Sequence, residues 1–330
     1  MVGYIIRRIV SGALVLLATS VAVFALFFYG PADPAEAYCP ETRCTPERLE
    51  SIRNGLGLDR PVLVQYGEYM KGIVVGNDFE IGSIAIPCDA PCLGVSFKLR
   101  VDVTDYLLDR FPATVSLAVG GSVIFLTLGL AVGIFAARRR GTSADKGIVG
   151  ASLIVNAIPY YLLALLAYLY LISAWAIFPE TAYVSPLEEG LLPWIKGLLL
   201  PWLVIGVFYS TQYARFGRGS MIEALNEDFV RTARAKGLPE RKVVMKHGLR
   251  AAVVPIVTIF GLDFAGLLAG TVFTEQIFSI QGIGLSAIQA IGTKDLPIIS
   301  ATVLFAAFLV VTANIVVDIV YSMIDPRVRL

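Results

Sequence analysis

Four cysteines, a single histidine and two carboxylates set inside long apolar runs are the residues of this 330-residue chain whose chemistry most needs an account. The histidine, His247, has no second histidine to work with. A zinc protease would place two histidines one helical turn apart with a glutamate beside the first, and a serine hydrolase would raise its nucleophile on a Gly-x-Ser-x-Gly turn. Neither pattern occurs. A loop that grips nucleotide phosphates with its amides and a lysine would end in Gly-Lys-Ser or Gly-Lys-Thr, and that too is missing. Gly282-Ile283-Gly284-Leu285-Ser286-Ala287 imitates a dinucleotide fingerprint, but no strand precedes it and no parallel unit surrounds it. The chain therefore offers no recognisable covalent chemistry, cofactor site or metal site of its own. Its 27 basic and 26 acidic residues nearly cancel, which gives no reason to expect nucleic acid as a partner.

The elements that must position these residues are membrane spans. The composition is 56% hydrophobic and only 16% charged, far from that of an ordinary soluble domain. Crossing an apolar layer roughly 30 Å thick takes about 20 largely uncharged helical residues. Six stretches qualify: Ile9 to Tyr29, Ala113 to Ala137, Ile148 to Ile172, Leu191 to Tyr213, Ala251 to Phe273 and Ile298 to Ile324. The first follows Arg7 and Arg8 as a signal peptide would, yet it is too long for one and ends in Phe27, Phe28 and Tyr29, so it reads as a retained span.

Basic residues beside spans stay on the cytoplasmic side. Arg7 and Arg8, the Arg138 to Lys146 connection, the Arg215 to Arg250 connection and the tail with Arg327 and Arg329 together hold 17 basic residues against 6 acidic ones. The other connections reverse that balance, with 18 acidic residues. Both termini are thus expected in the cytoplasm. The first outer connection, 30–112, is too long for a simple loop and should carry folded structure. It holds Cys39, Cys44, Cys88 and Cys92 on the face where thiols are oxidised, so two disulfides are expected, with a zinc site as the rival. Whether they close two small rings or bridge the distant ends of the segment stays open.

Inside the spans, Asp263 and Asp318 are expected to point inward, because a carboxylate at mid-bilayer costs about 2.5 to 3.5 kcal/mol unless it meets protein or water. Asp263 either lines a solute path or pairs with a neighbouring helix. Asp318 follows Asn314 at i+4 and reads as a helix contact, and Glu275 sits near the outer mouth. Asn156 and Pro159 mark a kink in the third span. Trp175, Trp194 and Trp202 read as interface or packing residues.

The connection after the fourth span carries the strongest pattern. Helix formers dominate from Glu227 to Lys236, Phe229 and Ala233 share a face at i and i+4, and Gly237-Leu238-Pro239 stops the helix before a second one begins at Glu240. Lipid attraction would need the charge but not the stop. Here Phe229-Val-Arg-Thr-Ala-Arg-Ala-Lys-Gly-Leu238 and His247-Gly-Leu-Arg-Ala-Ala-Val-Val-Pro255 resemble the cytoplasmic signature of the B-type permease subunits of dipeptide, oligopeptide and nickel ABC importers. Leu56-Gly-Leu-Asp-Arg-Pro-Val-Leu-Val-Gln-Tyr66, Arg110-Phe-Pro-Ala-Thr114, Thr274-Glu-Gln-Ile-Phe278, Val317-Asp-Ile-Val-Tyr321 and Asp325-Pro-Arg-Val-Arg329 extend the resemblance over nearly the whole chain. Two positions depart from the wider pattern: no glutamate precedes Ala233, and Gln281 replaces the usual proline.

The resemblance implies an all-α membrane protein of the type I ABC importer permease kind, with six transmembrane helices and an extracytoplasmic subdomain inserted between the first two. The divisions would be 1–29 for the first span, 30–112 for the subdomain and 113–330 for a five-helix core. It implies a coupling helix over 228–238, with Asp228, Phe229, Arg231, Thr232, Ala233, Arg234, Ala235, Lys236, Gly237 and Leu238 meeting a separate ATPase and Arg231, Arg234 and Lys236 making the charged contact. ATP and Mg would be bound by two ATPase subunits, or one with two domains, and not by this chain. A second homologous permease, an extracytoplasmic solute-binding protein and the lipid bilayer of a bacterial or archaeal cytoplasmic membrane complete the expected setting. Candidates for the translocation path are Asp263, Glu275 and Asn156, where Asp263 would meet a peptide amino terminus or a metal cation. Import of nickel or another small solute is the alternative within the family. An ion-coupled carrier, which should show inverted repeats, and a membrane-embedded enzyme, which needs clustered catalytic groups, are the alternatives outside it.

Overall fold

The computed structural model describes residues 2–324 apart from 30–34, 36–43, 56–57, 82–83 and 97, so Cys39 and the Asp325 to Arg329 motif lie outside the described residues. Among the described residues five helices are long and apolar enough to cross a membrane, and a helix pair bent by 90° brings the number to six if the pair is one span. The chain opens with α1 (Val2–Tyr29). Next come α2 (Pro46–Gly55), α3 (Val62–Val75) and two small antiparallel pairs, β1 (Asn77–Ile81) with β2 (Ile84–Cys88) and β3 (Val95–Ser96) with β4 (Val101–Asp102). The described part of 30–112 thus carries helices and adds short strands to an otherwise helical protein. Cys88 pairs with Cys92 in a small ring, packed with Val95, Phe79 and Ile86. Cys44 is also held in a disulfide.

The second span, α4 (Val103–Arg138), begins well before the expected Ala113, because Asp102 caps it by accepting from the Thr104 amide at 2.6 Å. The third is broken. α5 (Ser143–Ala157) ends at an extended Ile158, as a residue preceding proline must, and α6 (Tyr160–Ala167) restarts after Pro159 and widens into a π-helical turn over Tyr168–Ala174. The expected kink at Asn156 and Pro159 is in fact a right-angle break.

The expected fourth span, Leu191 to Tyr213, continues without interruption through what the sequence presents as a basic connection: α7 (Leu191–Asn226) has 36 residues. At about 1.5 Å per residue it is about 54 Å long against an apolar layer of about 30 Å, so its C-terminal end stands clear of lipid. There follow α8 (Asp228–Ala235), α9 (Glu240–Lys242), a π-helical turn over Val243–Gly248 and α10 (Leu249–Ala269). Gly270, at φ 139°, ends α10 short of the expected Phe273. α11 (Val272–Ile277) and α12 (Ile283–Thr293) then form a helical hairpin before the last span, α13 (Leu296–Ile324).

α4 and α7 form the spine. A Cβ on Gly129 would lie 2.5 Å from the Tyr213 Cβ, and one on Gly133 would lie 2.7 Å from the Ala214 carbonyl oxygen, so these backbones approach as closely as only glycine allows. Leu117, Phe125, Leu198, Ile205, Tyr213 and Ile256 fill the main core along this seam. α13 packs on α10 and carries α1 on its other side. Arg8 near the start of α1 meets Asp318 near the end of α13 at 3.0 Å, which brings the two ends of the chain to one face. Asp318 thus makes its contact with a neighbouring helix through a cationic partner on α1.

Candidate functional site

The segment that closes the gap between α7 and α10 is held by three local devices. α8 stops in a Schellman turn: the Leu238 amide donates to the Ala233 carbonyl at 3.4 Å, the Gly237 amide donates to the Arg234 carbonyl at 2.9 Å, and Gly237 takes φ 74°. Arg234 reaches over that turn as a two-pronged partner of Glu240, at 2.8 and 3.2 Å. Beneath them Val230, Ala233 and Val243 are buried together, joined by Leu225 and Leu238. A second apolar cluster of Ala137, Met221, Ala224, Val244 and Ala252 ties the same corner to the ends of α4, α7 and α10.

The face turned outward is the opposite one. Asp228, Arg231, Thr232, Ala235 and Lys236 are exposed, and so is Phe229, at 47%. Phe229 and Ala233, one turn apart, differ in burial: Ala233 packs inward with Val230, and Phe229 is half exposed. Arg234 is committed to Glu240, whereas Arg231 makes only a loose contact with the open Asp228 at 3.5 Å. Of the three expected charged contacts, Arg231 and Lys236 face outward unencumbered by an internal fork.

Above this corner, Arg218 on α7 grips Asp145 at the start of α5 through Nε and Nη2, the latter at 2.8 Å, and Asp145 also accepts from the Gly141 amide at 2.9 Å. Asp145 is nearly inaccessible, so the pair is a clamp between two helices rather than a surface contact.

Deeper in the chain the polar candidates converge on α7. Tyr213 donates to Asp263 at 2.8 Å, and Phe125 stacks beside Tyr213 with centroids 4.6 Å apart. Asn156 donates to the Ser152 carbonyl at 2.9 Å and to the Thr211 hydroxyl. Asp263 therefore has a neighbouring-helix partner and remains partly exposed, and Asn156 braces the end of α5 against α7.

Two family patterns cover the sequence. The one described as the binding-protein-dependent transport system inner membrane component matches residues 129–330, and its N-terminal companion matches residues 1–118. The chain belongs to this family. Among its curated relatives, the di/tripeptide transport system permease protein DppB of Pseudomonas aeruginosa is 35% identical over 348 residues, covering 100% of this chain and 99% of the relative. The dipeptide transport system permease protein DppB of Escherichia coli is 31% identical over 351 residues, with the same coverage. The chain is accordingly an integral membrane component of a transport system.

Glu275, expected near the outer mouth of this inner membrane component, has a side chain that is 0% exposed. Oε1 accepts from Thr114 at 2.8 Å and from Thr271 at 3.1 Å, and Oε2 accepts from the Leu285 amide at 2.8 Å, so the carboxylate caps α12 and pins the hairpin to α4. Gly282 and Gly284 make room for it; a Cβ on Gly282 would come within 2.3 Å of the Glu275 carboxyl carbon. The imitation fingerprint is thus a carboxylate cradle. Tyr160 and Thr181 hold the hairpin from α6 and the loop beyond, at the Thr274 hydroxyl and the Phe278 carbonyl. Trp194 and Trp202 pack edge to face and both donate to Ser116, while Trp175 is exposed beside Tyr170.

At the far end of α12, Ser96 donates to the Asp295 carboxylate, and Lys98 reaches the Thr293 and Lys294 carbonyls, fastening the small β3 pair to the hairpin. Burial pushes the Asp295 carboxyl above the ordinary aspartate value, against the opposing pull of the Ser96 hydroxyl, the Ile298 amide and the Lys98 charge.

Proposed function

We propose that this chain is the transmembrane permease subunit of an importer of di- and oligopeptides, moved by ATP hydrolysis on separate ATPase subunits that also hold the Mg. The peptide assignment rests on relatives of matching length whose names specify peptide transport. In this reading the chain forms half of one path with a second, similar permease, receives cargo from an extracytoplasmic binding protein, and changes shape by alternating access. Basic residues at the chain ends and around α8 support a cytoplasmic position for that face, with 30–112 outside as a subdomain on a core of 113–330.

The observation that carries the coupling role is the form of α8. A helix that presents Phe229, Arg231 and Lys236 to solvent, while its other side is locked to two spans, is built to be pushed as a solid piece. Asp263 and Asn156 are the path residues this reading favours, with Asp263 offering its open side to a peptide amino group. The test is solute-stimulated ATP hydrolysis by the assembled importer. Gly237→Pro removes both the left-handed turn and the amide that donates to Arg234. Stimulation should be lost while membrane insertion persists; undiminished stimulation would refute the assignment of 228–238 as the coupling helix.

A further inference from the structure

The helix α3, read from sequence as part of a water-exposed segment, carries an unpaired apolar stripe. Leu63, Gly67, Met70 and Val74 recur at helical spacing, and Leu63 and Val74 are 85% and 73% exposed. Lys71 and Glu68 follow on the side away from α1, interleaved with the exposed Val64 and Val75, and Glu68 pairs there with Arg60. The side of α3 flanking the stripe is turned to α1: the Tyr66 hydroxyl shares a hydrogen bond with Ser20 at 2.8 Å, and Phe24 meets the rings of Tyr66 at 5.2 Å and Tyr69 at 6.0 Å.

Those contacts fix a height. The apolar run of α1 extends to Tyr29, so Phe24 and Ser20 lie about 8 and about 14 Å inside its outer end at 1.5 Å per residue, within reach of tyrosine side chains that point down from the boundary. A helix whose tyrosines touch both residues lies at the edge of the apolar layer. α1 is itself a peripheral rod whose exposed leucines, isoleucines and valines face away from α13, so the stripe on α3 continues a surface already given to lipid. Tyrosines at this level, an apolar stripe on one border and charges on the other are the composition of an interfacial helix.

We propose that α3 lies in the membrane–water boundary, with Leu63, Met70 and Val74 among phospholipid acyl chains and Lys71 and Glu68 in the headgroup layer. Its partner is the lipid surface, and it anchors the β1–β2 hairpin that follows it at a fixed height over the membrane. The inference stands independently of what the permease carries.

The test places tryptophan on either border of the helix, as Leu63→Trp and Lys71→Trp, in the full chain assembled with its partner subunits in lipid nanodiscs. The emission added over the parent protein is compared between ordinary phosphatidylcholine and phosphatidylcholine brominated along its acyl chains, and then under aqueous iodide. Insertion to the acyl boundary predicts about two-fold lower emission from L63W in brominated lipid with little effect of iodide, and the reverse order for K71W. Should L63W perturb folding, Val74→Trp replaces it with the same expectation. Emission at position 63 or 74 that bromine does not quench overturns the proposal in either form: quenching by iodide instead would place α3 in water, and shielding from both would place it under another protein.

Discussion

Phe229 and Glu275 show how a side chain's direction decides its role. An aromatic ring left half in water on a helix otherwise fixed to the fold is suited to fill a pocket on a partner, where such rings carry much of the binding energy. Phe229→Ala should weaken the attachment of the ATPase subunits about 30-fold, or about 2 kcal/mol, with no change in the thermal midpoint of the isolated chain. Titration of detached ATPase onto the permease in nanodiscs measures it, and an unchanged affinity would remove Phe229 from the contact. Glu275 makes the contrary case. Its carboxylate accepts from two hydroxyls and an amide, so with the Glu275→Gln carbonyl kept on the Leu285 amide its NH2 would face two hydroxyls that donate in the parent, one of which already accepts from the Ile283 amide. The expected cost is about 1 to 3 kcal/mol, seen as a lower unfolding midpoint of the full chain; an unaltered midpoint would mean that the hairpin is not held there. Neither direction was legible in the sequence. Phe229 and Val230 fit one buried face about equally well by spacing, and the Thr114 partner of Glu275 stands 161 positions away.

At the scale of elements, the helix stop was legible because Gly237, Leu238 and Pro239 state it locally, and the structure completes it as a Schellman turn. A Cβ at position 237 would meet nothing within 4 Å, so the cost of Gly237→Ala is that of the left-handed backbone alone, about 1 to 2 kcal/mol. That variant should loosen α8 without dislodging it. Amide exchange in 228–238 should rise while exchange in α7 stays as it was, and equal protection would show that the glycine is not required. The length of α7 was not legible, since Arg215 and Arg218 look like the start of a loop until Asp145 is found opposite Arg218, 73 residues earlier. This clamp ties α5 to α7, and in the proposed reading the two would move together when α8 is displaced. Asp145→Asn should leave ATP hydrolysis running while lowering the peptide imported per ATP, and Asp145→Arg with Arg218→Asp should recover part of the loss. An unchanged ratio in Asp145→Asn would make the clamp a matter of folding only. The Asp295 contact belongs to this scale too. Its carboxyl binds a proton more tightly folded than unfolded, so its contribution is most favourable in acid, declines as pH rises from the ordinary aspartate value through the raised one, and is level above that. Unfolding midpoints measured against pH should show this slope in the parent protein and a flatter one in Asp295→Asn.

At the scale of the whole molecule, composition alone required a membrane, and six apolar stretches with alternating flanking charge led to the expectation of both ends on one face; in the fold Arg8 near the start of α1 meets Asp318 near the end of α13. What composition could not supply is how the spans are joined into levers. Close glycine contacts make α4 and α7 one spine, α7 carries its end beyond the lipid, and the α8 corner is bolted to that end and to α10. In the proposed reading this arrangement receives its force from separate ATPase subunits. Accumulation of a labelled dipeptide in proteoliposomes tests this most directly. The account predicts uphill uptake only when the permease is reconstituted with its partner permease and ATPase subunits, binding protein and ATP, and none with this chain alone. Uphill accumulation by the purified chain by itself would contradict it.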